Sequence, residues 1–494
     1  MPSKFTRLEN LIFHGIRSFF LDTILLFLPT LPCLSSLVID CIDNVENKNA
    51  VYYRIFRLPV LKYCKLSLDE PFCLSSLPRD SLPLATTKFS SIEHLIITKL
   101  LRLNELNGLL SYVPKLHRLS IHLSNRFFEK YQQQHFIHLN HLTHVFLNIT
   151  DMDFKEFELI IKNLFNRVEV LYITLKNDST YLYENRWKQL ILFHMHHLRI
   201  FDIMISYTAD SSEDIFNSIS LTNHFNSQFW FERGWFFEYQ IYNDLLDGFI
   251  FYSINPYRRK SYSIYDERVM STSSFRPKCN INPVQFIKIQ EQEEIINCRY
   301  YFPNAIELTL SYSYEKKNQN ILLTSFNNII PLKQLTKLVI HICPDRFVEI
   351  IELLLLSPNI HTFEIHCVSL KYSDLISIEN SETFQLLSKT NNIKEIIIML
   401  DCTLEITKFF VNLCLRLQYL TMKISNNNNL QLVLSFLFSK NNYITHNLFL
   451  LCIKSMSNTE FDILENFIVL QELFDVYLTK TKVNRYYNDV YLWW

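Results

Sequence analysis

Residues 112–121 read YVPKLHRLSI, and near-copies recur along the chain: TLPCLSSLVI at 30–39, RLPVLKYCKL at 57–66, YFPNAIELTL at 301–310 and LSPNIHTFEI at 356–365. The shared unit has apolar residues at its first, fourth and sixth positions, often with a proline two residues ahead of the first. In YVPKLHRLSI these are Leu116, Leu119 and Ile121. The alternation at its end is a strand signal, with Leu119 and Ile121 turned inward and Arg118, Ser120 and His122 on the opposite face.

The middle apolar residue falls at Leu11, Leu37, Cys64, Leu95, Leu119, Val145, Leu171 and Phe201. After a gap it resumes at Leu308, Leu338, Phe363, Ile396 and Leu420, with weaker matches centred on Leu448 and Val476. The clear matches within each run lie 24–33 residues apart. Between strand signals, FKEFELIIKNLF at 154–165 and RFVEIIELLLLS at 346–357 show apolar residues at helical spacing. One strand–helix unit cannot bury its own apolar face, whereas stacked neighbours can. A helical array with two helices per repeat is the rival reading, and it predicts no strand signal.

The pattern resembles the leucine-rich repeat. LKQLTKLVIHIC at 332–343 fits it fully, with Leu335, Leu338 and Ile340, and Cys343 in the slot that takes Asn or Cys. Ser124, Thr150, Ser206, Ser313 and Ser425 occupy that slot elsewhere. The resemblance implies an α/β fold, an irregular leucine-rich-repeat solenoid (horseshoe) with a parallel concave sheet. It divides the chain into N-terminal repeats over 1–203, an insertion over 204–300 and C-terminal repeats over 301–494.

The insertion is aromatic-rich. QFWFERGWFFEYQIYNDLLDGFIFYSINPYRRKSYSIYDE at 228–267 alternates as strands do, with turn signals at Asp247-Gly248 and NPYRR. Three strands at about 229–242, 248–254 and 260–266 are expected to form an antiparallel β-meander. Trp230, Trp235, Phe237 and Tyr239 are either a recognition patch, since Trp and Tyr dominate interface hot spots, or the insertion's own core. Arg258, Arg259 and Lys260 either bind an acidic motif or form a solvated turn.

Composition narrows the function classes. The chain has 494 residues, 48% hydrophobic and 20% charged, enough apolar material for a core. Lys plus Arg number 48 against 49 Asp plus Glu, so nothing in the charge balance points to nucleic acid or an anionic membrane. The four glycines, Gly15, Gly108, Gly234 and Gly248, are too scattered for a phosphate-cradling loop. The eleven cysteines form no C-x-x-C pair and read as reduced core residues of an intracellular chain, cytoplasmic or nuclear. No apolar run reaches the ~20 residues of a spanning helix, and the first residues lack a signal peptide's layout.

No catalytic motif is present, and neither enzymatic activity nor a cofactor is expected. An enzyme with an unrecognised site in the insertion is the remaining catalytic reading. His135, His138, His141 and His144 are spaced three apart, which would align ligands on a helix; here the segment runs from loop into strand. Histidine enrichment on the strand face is more informative. Six of the 39 face positions in thirteen clear repeats are His14, His94, His122, His144, His341 and His366, where chance would place about one. The face is either a histidine-rich binding surface, pH-sensitive near neutrality, or exposed sheet that tolerates histidine. His341 and His366 share one column of adjacent repeats. The protein-binding candidates are Arg118, His122, His144, Phe146, Tyr172, His341, Glu364 and His366, with Trp230 and Trp235 from the insertion.

The LPxLxxLxI units, together with the WFFEYQ…FYSINPYRRK…Y segment, resemble the leucine-rich region of F-box/leucine-rich-repeat proteins of an expanded invertebrate set. That resemblance covers nearly the whole chain. It implies substrate-type recognition of a protein partner, with a Skp-type adaptor of a cullin-RING ubiquitin ligase as a further partner. The first repeat begins near Leu8 and leaves no room ahead of it for an F-box. The expected function is therefore a non-catalytic scaffold that binds a protein on the concave sheet. The alternative is a ubiquitin-ligase substrate receptor with the F-box upstream or supplied otherwise.

Overall fold

A computed structural model describes residues 5, 7–69, 82–85, 90–125, 137–208, 212–242, 248–255, 257, 259–264, 269–271, 280–289, 295, 298, 300–311, 325–341, 347–366, 372–439, 447–472, 482–486 and 488–493. The fold is α/β, with two large, mostly parallel sheets and thirteen α-helices among the described residues. The chain divides into two compact units, 1–257 with 269–275, and 258–268 with 276–494.

The first unit holds an eleven-stranded sheet. Eight strands follow one another in chain order: Asn10–Ile16 (β1), Ser36–Asn44 (β2), Tyr63–Asp69 (β3), His94–Arg102 (β4), Arg118–Ser124 (β5), His144–Thr150 (β6), Val170–Lys176 (β7) and Ile200–Thr208 (β8). Each is parallel to the next. Their register runs Leu11↔Leu37↔Cys64↔Leu95↔Leu119↔Val145↔Leu171↔Phe201, so every middle apolar residue of the first run lies in one column. From Leu37 to Phe201 these side chains are fully buried. A two-helix repeat without strands does not describe this unit.

Helices return the chain between strands. Phe154–Leu164 buries Phe154, Phe157, Ile160, Ile161 and Leu164, one stripe at helical spacing. Asp153 caps it by accepting from the Glu156 N–H at 2.9 Å, while the Glu156 carboxylate accepts from the Asp153 N–H at 3.3 Å. In the helix Leu103–Ser111, Gly108 is required, because a Cβ there would sit 2.1 Å from the Leu82 carbonyl oxygen.

The aromatic segment departs from the expected meander. Gln228–Glu232 is a helix; the strand begins only at Phe236 and runs to Tyr242 (β9). It pairs antiparallel with Gly248–Asn255 (β10), as the Asp247-Gly248 signal predicts, although residues 243–247 lie outside the described residues. β10 also pairs antiparallel with β8, so this hairpin extends the first sheet. Residues expected to supply the third meander strand instead form Ser261–Ile264 (β11), which pairs parallel with Phe286–Ile289 in the second sheet. The third antiparallel strand is Val269–Ser271 (β12), against β9.

The second unit holds ten strands. After β11 come Phe286–Ile289 (β13), Glu307–Leu310 (β14), Lys337–Ile340 (β15), Thr362–Ile365 (β16), Glu395–Asp401 (β17), Tyr419–Lys423 (β18) and Leu450–Lys454 (β19), all parallel. Their buried column is Tyr262, Ile287, Leu308, Leu338, Phe363, Ile396, Leu420 and Leu451. The weak match at Leu448 is thus corrected by three residues to Leu451, and Val476 lies outside the described residues. The segment 346–357 forms a helix over Phe347–Leu356, as its spacing predicts. Lys482–Tyr486 (β20) and Asp489–Trp493 (β21) finish the sheet antiparallel.

Candidate protein-binding faces

On each sheet, residues alternating with the buried column form a second, partly exposed face. In the first unit the ladder places His94, Arg118 and His144 side by side on three successive strands. Strand spacing puts such neighbours ~5 Å apart. Tyr63 precedes them, its ring edge-on to His94 at 4.9 Å. Arg118 is exposed, and among the described residues it has no carboxylate partner. Burial, then the positive charge of Arg118, then His144 push the His94 pKa below the ordinary imidazole value. His94 therefore stays neutral at neutral pH and accepts a charge less readily than a free imidazole.

The next column carries Ser120, Phe146 and Tyr172. The Phe146 and Tyr172 rings are 5.8 Å apart and half-buried. Further along, His122 is half-buried, with Nε2 3.4 Å from the Thr150 hydroxyl. Burial and then Lys176 lower its pKa. The predicted residues Arg118, His122, His144, Phe146 and Tyr172 thus share one face of three consecutive strands, β5 to β7.

In the second unit, the Glu364 carboxylate lies between two cations or potential cations. It takes the Lys337 ammonium at 2.8 Å on one oxygen and faces His366 Nε2 at 2.6 Å on the other. Burial opposes its charge, but those two hydrogen bonds outweigh burial and hold its pKa below the usual carboxylate range. His341, on the neighbouring strand, stacks against His366. Beside them the Thr362 hydroxyl donates to Glu395 at 2.9 Å. Glu395 was not singled out by sequence; its place in the Lys337–Thr362 column, two columns from the histidines, becomes visible only with the register Thr362↔Glu395.

Trp230 and Trp235 do not belong to a surface patch. Their side chains are 1% and 3% exposed, so the recognition reading is corrected to the core reading. Trp230 stacks on Phe201, centroids 5.8 Å apart, and donates from Nε1 to Glu184 at 3.0 Å. Trp235 donates to the Arg199 carbonyl at 3.3 Å. Phe237 and Tyr239 are buried with them, next to Phe225, Phe249 and Phe251. The hydrophobic gain of covering such rings exceeds what exposed aromatic contacts would retain.

Among the described residues, no three His, Cys, Asp or Glu side chains gather as a metal set. His135 and Arg258 lie outside them. No helix among the described residues is long and apolar enough to cross a membrane. Cys64, Cys402 and Cys414 are buried thiols, and burial drives each pKa upward, that of Cys402 to about 12. They are poor nucleophiles at neutral pH. Compared with known proteins, the chain matches no family model, and no curated protein matches it.

Proposed function

We propose that the chain is a non-catalytic, leucine-rich-repeat-type scaffold that binds a protein partner on the partly exposed face of its first sheet. One observation carries this reading: Arg118 stands exposed and unpaired by carboxylate, flanked in register by His94 and His144 and one column from the Phe146–Tyr172 ring pair. Arginine and aromatic side chains on a rigid ladder are the groups that dominate interface energetics, and the ladder fixes them without ordering cost on binding. An acidic segment suits Arg118, because its charge is not already neutralised.

The test compares partners captured by the wild-type chain with those captured by Arg118→Ala, Phe146→Ala and Tyr172→Ala, with Phe193→Ala on an exposed helix position as control. Each face variant is expected to weaken a true partner at least tenfold, the size of an interface hot spot, and the control to leave it unchanged. A partner set indifferent to all three would end this reading. The resemblance of the LPxLxxLxI units to F-box/leucine-rich-repeat proteins makes a substrate receptor of a cullin-RING ubiquitin ligase the second reading. Co-purification with a Skp-type adaptor separates it from the first.

A further inference from the structure

The carboxyl ends of β3 to β7 enclose an open pocket of about 490 Å3. Crevices at the carboxyl ends of parallel strands are where open α/β sheets take ligands. The sequence explains why a hollow forms here. β4 carries two residues, Thr98 and Lys99, with no counterpart on β5: Ile97 pairs Ile121, and Leu100 pairs the very next residue, His122. The resulting bulge lifts Thr98 and Lys99 out of the ladder, and both line the pocket together with Leu100, where pairing resumes. Across from them β6 and β7 end in Asp151 and Asn177, both turned into the left-handed backbone region, φ 52° and 55°.

The polar groups around the hollow are biased toward donors. Lys176 is exposed and has no carboxylate partner among the described residues. Both hydrogen bonds accepted by the Asn177 side chain, from the Thr208 N–H at 3.0 Å and hydroxyl at 2.9 Å, go to Oδ1. What Asn177 offers the pocket is therefore its Nδ2 donor. His122 sits half-buried on β5, its ring against the Thr150 hydroxyl of β6, with Lys99 and Leu100 on the neighbouring β4 bulge. Two carboxylates also line the hollow. Asp69 is engaged by Lys99 at 3.0 Å, which neutralises that edge, and Asp151 lies beside Lys176 at the other.

We infer that this pocket binds an oxyanion, a phosphate group for which Lys176 and Asn177 Nδ2 supply the first contacts and His122 a proton-dependent one. Lys176 provides a positive charge that no ion pair engages among the described residues. Approach of an anion favours the protonated form of His122, which burial and Lys176 otherwise disfavour. A phosphate has four oxygens to satisfy, matching ammonium, amide, imidazole and the Thr150 hydroxyl better than a carboxylate's two. The inference stands apart from the Arg118 reading, since its residues lie at the carboxyl edge and its ligand need not be a protein.

The experiment titrates the full-length chain with inorganic phosphate and with O-phosphoserine at constant ionic strength, by calorimetry or ligand-observed NMR, with acetate as comparator. Saturable binding of a phosphate probe, weakened at least tenfold by Lys176→Ala and strengthened as pH falls from 7.5 to 6.5 in the wild type but not in His122→Gln, is the expected result. Tighter binding of O-phosphoserine assigns the site to a protein-borne phosphate; tighter binding of inorganic phosphate assigns it to the free ion. No saturable binding of either, equal binding by Lys176→Ala, or an equal preference for acetate would overturn the proposal. Lys176 is exposed and His122 half-buried, so both variants should fold, and unchanged partner capture by Lys176→Ala would leave the Arg118 reading standing.

Discussion

The imidazole rings of His341 and His366 stack with centroids 4.1 Å apart and planes 28° from parallel. They occupy consecutive rungs of the second sheet, each backbone N–H donating to the preceding rung at 2.8 Å. Protonating both rings sets two like charges at that distance, a repulsion of about 1 kcal/mol in water and ~4 kcal/mol at an effective dielectric near 20. His341 is the ring that resists a proton. Its pKa lies below the ordinary 6.5 through burial, then His366, then Lys288, against the pull of Glu364.

Removing His366 should therefore raise the pKa of His341. An NMR titration of the His341 ring in His366→Ala is expected to move upward toward 6.5. The stability consequence has a definite sign. A histidine whose folded pKa is depressed binds fewer protons folded than unfolded, so stability falls as pH drops from about 6.5 through the folded value. Because His341 is exposed, solvent screening limits the effect to the order of 0.5 kcal/mol. The melting temperature of the wild type should fall relative to that of His341→Asn as pH drops from 7.5 to 5.5; parallel curves would contradict the assignment. Glu364 acts in a separate, lower window: its stabilisation is present above the ordinary 4.5 and is lost as pH falls through its folded pKa.

Lys48 and Glu105 form a buried ion pair at 3.0 Å, with side chains 3% and 7% exposed, linking the helices Lys48–Ile55 and Leu103–Ser111. Glu105 also accepts from the Arg102 N–H at 3.0 Å at the start of its helix. Lys48→Met strands that carboxylate and should cost about 3–5 kcal/mol. Lys48→Met with Glu105→Gln keeps an acceptor for Arg102 and removes the charge, so it should recover most of the loss. Urea denaturation reads both; a Lys48→Met penalty below about 1 kcal/mol would mean the pair is not confined as described.

Cysteine reactivity offers a test of the rungs themselves. Cys33 is exposed, whereas Cys64 sits in the buried column between Leu37 and Leu95. Native chain treated with a maleimide should label Cys33 within minutes and spare Cys64, Cys402 and Cys414 until denaturant is added. Mass spectrometry of peptides locates the label; early modification of Cys64 would place it off the core face.

The sequence was legible where one apolar period dominated. From Leu11 to Phe201 the repeat positions and the ladder coincide residue for residue, because only one register buries Leu119, Val145 and Leu171 together. It was illegible where the unit is incomplete. Tyr262 heads a rung in the second sheet, but Arg259 stands where the first apolar residue would. Val284, Ile287 and Ile289 do carry the full unit, past the aromatic run but within the 204–300 segment, with no full unit one repeat length ahead of them to continue the period. In the segment around 450, leucines at 448, 450 and 451 allow more than one register, and pairing with β18 selects Leu451.

The faces were legible as columns and not as chemistry. Period-two alternation puts His341 and His366 in one column, yet Lys337 and Glu395 join them through pairing between segments 25 or more residues apart. Trp230 was misread because QFWFE alternates like a strand. The buried Trp230–Glu184 hydrogen bond and packing on Phe201 make it a short helix instead, tertiary contacts overriding local pattern.

Both ladders end alike. A parallel strand at a sheet's margin leaves backbone donors and acceptors open to a second molecule, and β8 and β19 are each covered by an antiparallel strand of the same chain. The strands left outermost there, β12 of three residues and β20 with Lys482 and Arg485, are short or charged, features that discourage edge-to-edge pairing. Sheet growth by adding further molecules is thereby discouraged at those two ends, which leaves β1 and β11, the parallel strands at the opposite margins, as the edges open to a second molecule among the described strands.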